Sequence, residues 1–308
     1  MHVGSAIKSI SCMSNFRTLA SRLPFWIQVT RLDRPVGWIV LLWPTWIALI
    51  LAGHQTEHQV GLWVIFTLGV ILTRSAGCVV NDLTDREFDK HVKRTCTRPL
   101  ATGNLPVREA VWLSVVLLLL AFALVLLTNR LTIGLSVIAL ALALIYPWLK
   151  RITFWPQIGL GLAFSMAIPM AFTAHGAPVD SLILCLMLGN LAWTLAYDTF
   201  YAMVDRDDDL QIGVKSTAIR FGRFDLIGIG LSQLLALSGF GAALYLANLG
   251  GFAALGWLGA LGFAIHHQWI ARTRARADCF RAFLENHRFG ACLFAGALVD
   301  IYVQHLAS

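Results

Sequence analysis

The chain has 308 residues, of which 57% are hydrophobic and only 13% are charged, and its mean hydropathy is +0.69. An ordinary soluble domain carries about 25% charged residues, so this composition excludes that class and indicates an integral membrane protein. The net charge of +7 would suit a nucleic-acid partner, but the positions of the basic residues, described below, argue against one.

Nine apolar segments follow one another along the chain, and each is long enough for a helix that crosses a membrane. A hydrocarbon core of about 30 Å requires about 20 helical residues. Lipid offers no hydrogen-bond partners, so the segments must be packed helices, and the alternating pattern of a membrane barrel is absent. The sequence therefore predicts an all-α membrane protein, a bundle of nine transmembrane helices. The predicted spans are Pro35–Gly53, Gly61–Val80, Val111–Thr128, Leu131–Trp148, Ile158–His175, Leu182–Met203, Leu226–Ala247, Gly251–Ile270 and Phe289–Leu306.

The residues before the first span differ from the rest of the chain. Residues 1–24 include Lys8, Arg17 and Arg22 but no apolar run of signal-peptide length, so we expect a leader that is loose or lies at the membrane interface. No linker rich in Pro, Gly or Ser divides the remaining sequence. We therefore predict one transmembrane domain over residues 25–308.

The basic residues indicate how the bundle is oriented. With nine spans, 22 of the 24 Lys and Arg residues fall at the N-terminus or in the loops after the second, fourth, sixth and eighth spans. Arg74 lies inside the second span, and only Arg130 lies on the opposite side. By the positive-inside rule the basic side is cytoplasmic. The N-terminus should therefore face the cytoplasm and the C-terminus the opposite side.

Two acidic clusters, residues 81–89 and 205–209, follow the second and sixth spans. Together they contain eight of the 17 acidic residues, and ionised groups beside a bilayer are costly unless they have a partner. Asn81, Asp85 and Asp89 are spaced by four residues, as are Asp205 and Asp209, so each set lines one helical face. Oxygen ligands in such a pattern suit Mg²⁺, which typically also binds substrate phosphates. The alternative is that the clusters are solvated loops at the membrane edge.

Basic loops follow both acidic clusters, and a similar order of helix, carboxylates and basic loop recurs in the two places. Phosphate oxygens left free by a metal would accept hydrogen bonds from Lys and Arg, which favours a diphosphate held through Mg²⁺. The two similar units would then surround one cavity, although a repeat seen only twice could also arise by chance. The candidate phosphate donors are Arg98, Lys150, Arg151, Lys215 and Arg220.

Two charged residues lie deeper within the predicted spans. Arg74 either turns inward to a carboxylate or phosphate, or extends toward the membrane interface, and its position leaves both open. Asp198 precedes Asp205 by seven residues, so it lies on the same face two turns deeper. A carboxylate there could orient a hydroxyl of an acceptor or take its proton. The ring face of Tyr146 could stabilise a carbocation.

The two clusters, Asn-Asp-x-x-Asp-Arg-x-x-Asp at Asn81–Asp89 and the run Tyr201–Asp209, resemble the two aspartate-rich motifs of the UbiA family of intramembrane aromatic prenyltransferases. The resemblance covers the chain from about Pro24 to its end, with no departure in either motif. Further segments are similar to the ubiquinone-pathway branch of that family, namely Arg31–Trp38, Gly77–Val80, Arg98–Leu100, Tyr146–Arg151 and Gly213–Ala218.

The resemblance implies a fold, an activity and a metal site. The fold is a nine-helix bundle with a central cavity, capped on the cytoplasmic side by the loops after the second and sixth spans, in a bacterial inner membrane. The activity is transfer of a polyprenyl group from its diphosphate to the ring carbon ortho to the hydroxyl of 4-hydroxybenzoate. The family places two Mg²⁺ ions on the diphosphate, which by position assigns Asn81, Asp85, Asp89, Asp205 and Asp209 as ligands.

The other site residues are hypotheses of substrate contact. Lys150, Tyr146 and Arg98 would contact the diphosphate, and the substrate carboxylate would bind to Arg34 or to the run Lys215, Ser216 and Thr217. Two alternatives remain: a relative acting on another acceptor, such as a naphthoate, a homogentisate, a chlorophyllide or a haem, and a cation-coupled transporter. Transporters usually hold their carboxylates near the membrane midplane on interrupted helices, and here only Asp198 lies deep.

Overall fold

The computed structural model describes residues 21–56 and 59–307, and every regular element within them is helical. The expectation for the leader concerns residues 1–24, of which 1–20 lie outside the described residues, while 21–24 belong to a helix. The helices are α1 (residues 21–30), α2 (Val36–Gln55), α3 (Val60–Asp89), α4 (Val107–Val125), α5 (Arg130–Ile152), α6 (Pro156–Ser165), α7 (Ala167–His175), α8 (Ser181–Ile212), α9 (Thr217–Phe221), α10 (Asp225–Leu246), α11 (Gly251–Ala271), α12 (Arg276–Glu285) and α13 (His287–Ala307).

Eight helical segments of the described chain are long and apolar enough to cross a membrane, which confirms the all-α membrane architecture. The predicted eighth span, Gly251–Ile270, coincides with α11, but α11 is not among these eight. Four glycines and the polar run His266-His267-Gln268 reduce its hydropathy. A total of nine spans therefore stays a prediction. The eight segments are Val36–His54, Val60–Asp89, Val107–Val125, Arg130–Ile152, Pro156–His175, Ser181–Ile212, Thr217–Leu246 and Arg276–Ala307.

Two helices extend well beyond the predicted spans. Helix α3 continues to Asp89 instead of ending at Val80, and α8 continues to Ile212 instead of Met203. No Gly or Pro interrupts either acidic cluster, so each helix continues through its cluster. Helix α8 ends at Gly213, which has the left-handed conformation (φ 74°). Thirty residues at about 1.5 Å each exceed a core of about 30 Å, so the last turns of α3 lie beyond the apolar layer.

The predicted span Ile158–His175 is divided into α6 and α7 at Met166. Pro169 lacks the N–H that would bond to the Ser165 carbonyl, so the regular ladder breaks here. The Ser165 hydroxyl donates to Gly161 O (2.7 Å) and accepts from Asn190 Nδ2 (3.0 Å), which ties the break to α8. As a result α6 packs mainly on α8, and α7 mainly on α2.

Helix α8 lies at the centre of the bundle and packs against α10, α6 and α12. Gly189 and Gly239 let the backbones of α8 and α10 touch: a Cβ on Gly239 would lie 2.6 Å from Gly189 Cα. Such close approach of small residues is typical of helices that pack within membranes. Below this contact Trp193 stacks on Phe289 at 5.3 Å between ring centroids. This packing fixes the direction in which α8 presents its acidic end.

Candidate active site

The two acidic clusters come together at one end of the bundle. The loop after α3 lies against the end of α8: the Lys93 N–H donates to Asp208 Oδ2 (3.3 Å), and Arg94 donates to both oxygens of Asp205. The shortest of these Arg94 contacts, from Nη2, is 2.5 Å. Helices that are distant in sequence therefore place their carboxylates around a common set of cations.

The first cluster is neutralised by arginines. Asp82 is 1% exposed and accepts hydrogen bonds from Arg31 and Arg98. The same Nη1 atom of Arg98 also donates to Asp89 Oδ2 at 2.8 Å. Burial alone would lower the pKa of Arg98, but Asp82 and Asp89 raise it, so the guanidinium remains charged.

Lys150, at the end of α5, links the first cluster to the second. Its ammonium donates to Asp85 Oδ2, and it is near enough to Asp209 and Asp198 on α8 to act on both electrostatically. The adjacent Arg151 donates to Thr84 O (2.6 Å), which docks the end of α5 onto α3. Three helices thus contribute to one charged site.

The second cluster also carries bound cations. Arg94 pairs with Asp205 while its guanidinium lies over the Tyr201 ring, 4.4 Å from the centroid. Burial disfavours the charged form of Arg94, but Tyr201 and Asp205 raise its pKa. Asp208 pairs with Arg276 at 2.9 Å. Of the predicted ligands in this cluster, Asp205 is buried and Asp209 is half-buried.

A second polar group continues from the charged site into the bundle. Arg74 points inward: Nε donates to Gly37 O (3.3 Å), Nη1 to Cys78 Sγ (2.8 Å), and it interacts electrostatically with Asp198 and Tyr146. Asp198 is also hydrogen-bonded by the Gln157 side chain. Arg74 is therefore turned inward, but its hydrogen-bond partners are a carbonyl and a thiol, and contact with a carboxylate or phosphate stays a prediction. This group forms a polar interior next to the carboxylates.

Four predicted substrate residues have other partners. Arg34 has a side chain 71% exposed and lies 3.5 Å from Asp33. Lys215 Nζ donates to Ile152 O (3.0 Å), and the Ser216 hydroxyl caps α9. Thr217 Oγ1 is 2.7 Å from Thr199 Oγ1 in the buried interior. The polar groups of these residues hold loops and helix ends in place, so their contacts give no support to a role in binding a carboxylate.

Sequence reasoning missed several partners of the acidic residues. Arg94 was not among the predicted phosphate donors, and the arginines at 272–276 contributed only to the count of basic residues that indicates the cytoplasmic side. In the structure Arg276 pairs with Asp208, and Arg274 donates to the fully buried Asp225 at 2.9 Å. One signal in the sequence could have indicated these arginines: several Asp residues lie close to apolar segments, and each buried Asp side chain requires a cation as partner.

The residues at this site fit a divalent metal ion by their chemistry. Among the described residues no three His, Cys, Asp or Glu side chains already surround a single position, because Arg and Lys occupy the carboxylates. However, Asp85 Oδ1 is buried and has no hydrogen-bond partner within the described part of the chain. A buried oxygen of this kind requires a partner. Asp85, Asn81 and Asp89 lie on one face of α3 and offer the oxygen ligands that Mg²⁺ prefers.

A family model matches more than half of the chain. The model of the UbiA prenyltransferase family matches residues 41–293. The chain belongs to the UbiA family. Its UbiA relatives include three bacterial proteins named 4-hydroxybenzoate octaprenyltransferase, and each alignment covers most of both chains. Identity is 52% for the protein of Polaromonas sp. (90% of this chain, 97% of the relative), 50% for Alkalilimnicola ehrlichii (90% and 94%) and 46% for Pseudomonas entomophila (94% and 98%).

Solved structures of UbiA homologues share the fold. A homologue from Aeropyrum pernix superposes with a TM-score of 0.76 at 24% identity, covering 85% of this chain and 97% of that one. A homologue from Archaeoglobus fulgidus bound to GPP and Mg²⁺ gives 0.68 at 17% identity, covering 90% and 99%. The chain therefore has the fold of these UbiA homologues over most of its length.

Proposed function

We propose that this protein transfers a polyprenyl group from a polyprenyl diphosphate to the ring carbon ortho to the hydroxyl of 4-hydroxybenzoate. The products are 3-polyprenyl-4-hydroxybenzoate and diphosphate, in the ubiquinone pathway. Relatives about half identical along most of the chain have this activity in their names. The structural observation that carries the proposal is the set of three ion pairs, Arg94–Asp205, Arg98–Asp89 and Lys150–Asp85, at one end of the bundle.

These pairs suit a site for a metal diphosphate. Carboxylates that a metal engages would release their cations to phosphate oxygens, which are strong acceptors for Arg and Lys. A UbiA homologue bound to GPP and Mg²⁺ supports dependence on this metal, and two ions are part of the proposal. Bound Mg²⁺ would supply positive charge to the departing diphosphate. The proposed ligands are Asn81, Asp85, Asp89, Asp205 and Asp209.

The chemistry breaks one bond and forms another. The allylic C–O bond breaks with its electron pair leaving on the diphosphate, and Arg94, Arg98 and Lys150 stabilise that charge as it develops. The ring carbon ortho to the hydroxyl then forms a C–C bond with the allylic cation and loses its proton. The Tyr146 ring, which interacts electrostatically with Asp85 and Asp198, would stabilise the cation.

The polar interior is proposed to hold the aromatic acid. Arg74 is a half-buried cation inside the bundle, which makes it a better candidate for the substrate carboxylate than Arg34 or Lys215. Asp198 would accept a hydrogen bond from the phenol hydroxyl or take the proton that the reaction releases. Arg74 and Asp198 would then hold the carboxylate and the hydroxyl of the acid in the polar interior next to the proposed diphosphate site.

The membrane placement is also part of the proposal. We infer nine spans around a central cavity, with the N-terminus and the loops that cap the charged site in the cytoplasm and the C-terminus opposite. The distribution of 22 of the 24 basic residues supports this orientation, and bacterial relatives support an inner-membrane location. Residues 25–308 would form one catalytic domain. The apolar prenyl tail would extend between helices into lipid. This carries no desolvation cost, because apolar surface is more stable in lipid than in water.

The proposal is tested by incubating purified protein with Mg²⁺, 4-hydroxybenzoate and prenyl diphosphates of several lengths, with mass detection of products. We expect prenylated 4-hydroxybenzoate in the complete mixture and none without the metal. A naphthoate and a homogentisate in parallel reactions test the related acceptors. Product from neither 4-hydroxybenzoate nor any other phenol would contradict the proposal, and cation flux in proteoliposomes would then be measured, because a transporter also uses membrane carboxylates.

A further inference from the structure

Helix α1 ends in a turn that normally contains glycine. Residue 31 has φ of 60°, its N–H donates to Gln28 O (3.3 Å), and the Leu32 N–H donates to Ile27 O (3.2 Å). This is the hydrogen-bond pattern of a helix end whose left-handed residue is most often Gly. Arg31 occupies that position, although a side chain makes the left-handed conformation costly. The turn itself does not require arginine, so a role for its side chain is indicated.

The Arg31 side chain is directed at a buried carboxylate. Its Nη2 donates to both oxygens of Asp82 at 2.9 and 2.8 Å, and its Nη1 donates to Gln28 O at 2.5 Å. Asp82 also accepts from Arg98 at 2.9 Å. One arginine is enough to neutralise one aspartate, so the second arginine on Asp82 has a further purpose.

That purpose concerns Asp89, which lies two helical turns beyond Asp82 on the same face of α3. A single nitrogen of Arg98, Nη1, spans the two carboxylates, with 2.8 Å to Asp89 Oδ2. No other side-chain nitrogen of Arg98 forms a hydrogen bond within the described residues, and its side chain is 13% exposed. Its Nε and Nη2 are therefore available to a ligand.

The charges of the residues around Arg98 indicate what kind of ligand it would bind. Arg31, Arg98, Asp82 and Asp89 form a neutral group of two arginines and two aspartates. If Asp89 is engaged by a metal ion, the remaining three residues carry one net positive charge next to it. Because Arg31 continues to hold Asp82, Arg98 stays anchored and presents its free N–H groups to an anion.

We propose that Arg31 is a positioning residue: through Asp82 it fixes Arg98 for the diphosphate of the prenyl donor. This rests on the proposed function, since it needs a diphosphate substrate. Without Arg31, the Asp82 side chain loses its bidentate partner, and Arg98 loses the fixed point from which it reaches the phosphate. The affinity for the donor should fall, while the aromatic acid, bound deeper in the bundle, should be unaffected.

The test replaces Arg31 by glycine in the full-length protein. Arg31→Gly removes the guanidinium but relieves the left-handed backbone and leaves Arg98 on Asp82, so the melting temperature should fall by no more than about 2–4 °C. We expect KM for the prenyl diphosphate to rise about tenfold, the equivalent of one charge-assisted hydrogen bond, and KM for 4-hydroxybenzoate to stay within about twofold. Calorimetric binding of inorganic diphosphate with Mg²⁺, without turnover, should weaken by about the same factor.

Three further variants test whether Arg31 changes the affinity for the donor through Asp82 and Arg98. Asn248→Gly is the matched backbone control, because Asn248 has φ of 56° at the opposite end of the bundle, and it should leave both KM values unchanged. Arg31→Lys keeps the charge and should restore part of the donor affinity. Asp82→Asn should resemble Arg31→Gly, and the double variant should be no weaker than the weaker single one, because both act on Arg98.

The outcomes separate this proposal from the proposed function. If wild-type protein neither binds Mg²⁺ diphosphate nor forms product, the proposed function fails first. If wild type does both, an Arg31→Gly protein with wild-type donor KM and diphosphate affinity overturns the positioning role. A fall in melting temperature with equal changes in both KM values would also overturn it, because that result assigns Arg31 to the fold alone. Additive losses in the double variant would place its action outside Asp82.

Discussion

Asp85 has two carboxylate oxygens in unequal surroundings. One oxygen accepts from Lys150, and the other, Oδ1, is buried without a hydrogen-bond partner among the described residues. Asparagine keeps the size of this side chain but removes its charge and one anionic ligand atom. We therefore expect Asp85→Asn to lose prenyl transfer while the protein remains folded.

The size of the loss follows from two interactions. Removing one group that stabilises charge in a transition state typically costs about 10²–10³ in rate, and Lys150 also loses its partner, so we expect kcat/KM to fall by about 10³, or about 4 kcal/mol. Breaking a buried ion pair can cost about 3–5 kcal/mol of stability. Here Lys150 is 20% exposed and has Asp209 nearby, so we expect about 1 kcal/mol and a melting temperature about 2–4 °C lower.

The assay compares purified wild type and Asp85→Asn in the same detergent, by initial rates with saturating Mg²⁺ and by melting temperature. Asp207→Asn is the matched control: it makes the same change in the same site region, but the Asp207 side chain is 76% exposed and is not a proposed ligand. It should retain near-normal turnover. Turnover of Asp85→Asn within about tenfold of wild type would refute the ligand assignment, since a lost charge at a metal-diphosphate site cannot be so mild.

Three other predictions concern the metal, the acid and the fold. EDTA should abolish transfer and added Mg²⁺ or Mn²⁺ should restore it; activity after thorough chelation would exclude a metal role. Arg74→Gln should raise KM for 4-hydroxybenzoate by about 10- to 100-fold, whereas Lys215→Ala, whose ammonium bonds Ile152 O, should change it little; the reverse order would return the acid to Lys215. Asp225→Ala should lower the free energy of unfolding by about 2–4 kcal/mol, because Arg206 and Arg274 lose their buried partner. The melting temperature should fall accordingly, and an unchanged melting temperature would contradict the stability assigned to these two ion pairs.

Hydropathy was sufficient to predict most of the fold because lipid permits few alternatives to packed helices. The predicted apolar spans end nine residues before α3 and α8 do, whereas the register of the acidic residues predicted helix through both clusters. Helix formation depends on the backbone and tolerates charged side chains once the helix has left the apolar layer. Pro169 accounts for the break at Met166, but a proline alone could not have predicted it, because Pro44 and Pro147 lie within the unbroken helices α2 and α5.

The helical register predicted the face of Asp85 and Asp89 but could not predict their partners. Arg94 lies 111 residues before Asp205 in sequence, and Arg31 lies 51 residues before Asp82. Pairs that distant form only when the bundle is assembled, and spacing within one helix contains no information about them. In the same way the sequence could not predict that the loop containing Lys215 packs on the end of α5, and a role of Lys215 in substrate binding stays a prediction.

The most direct test of the central claim is the structure of the product that the purified protein makes in lipid nanodiscs from ring-labelled 4-hydroxybenzoate, octaprenyl diphosphate and Mg²⁺. The account predicts a single prenylated acid with the new C–C bond at the carbon ortho to the hydroxyl, and one diphosphate released per product. A prenyl group on the oxygen, or no product from protein that binds Mg²⁺ diphosphate, would contradict it.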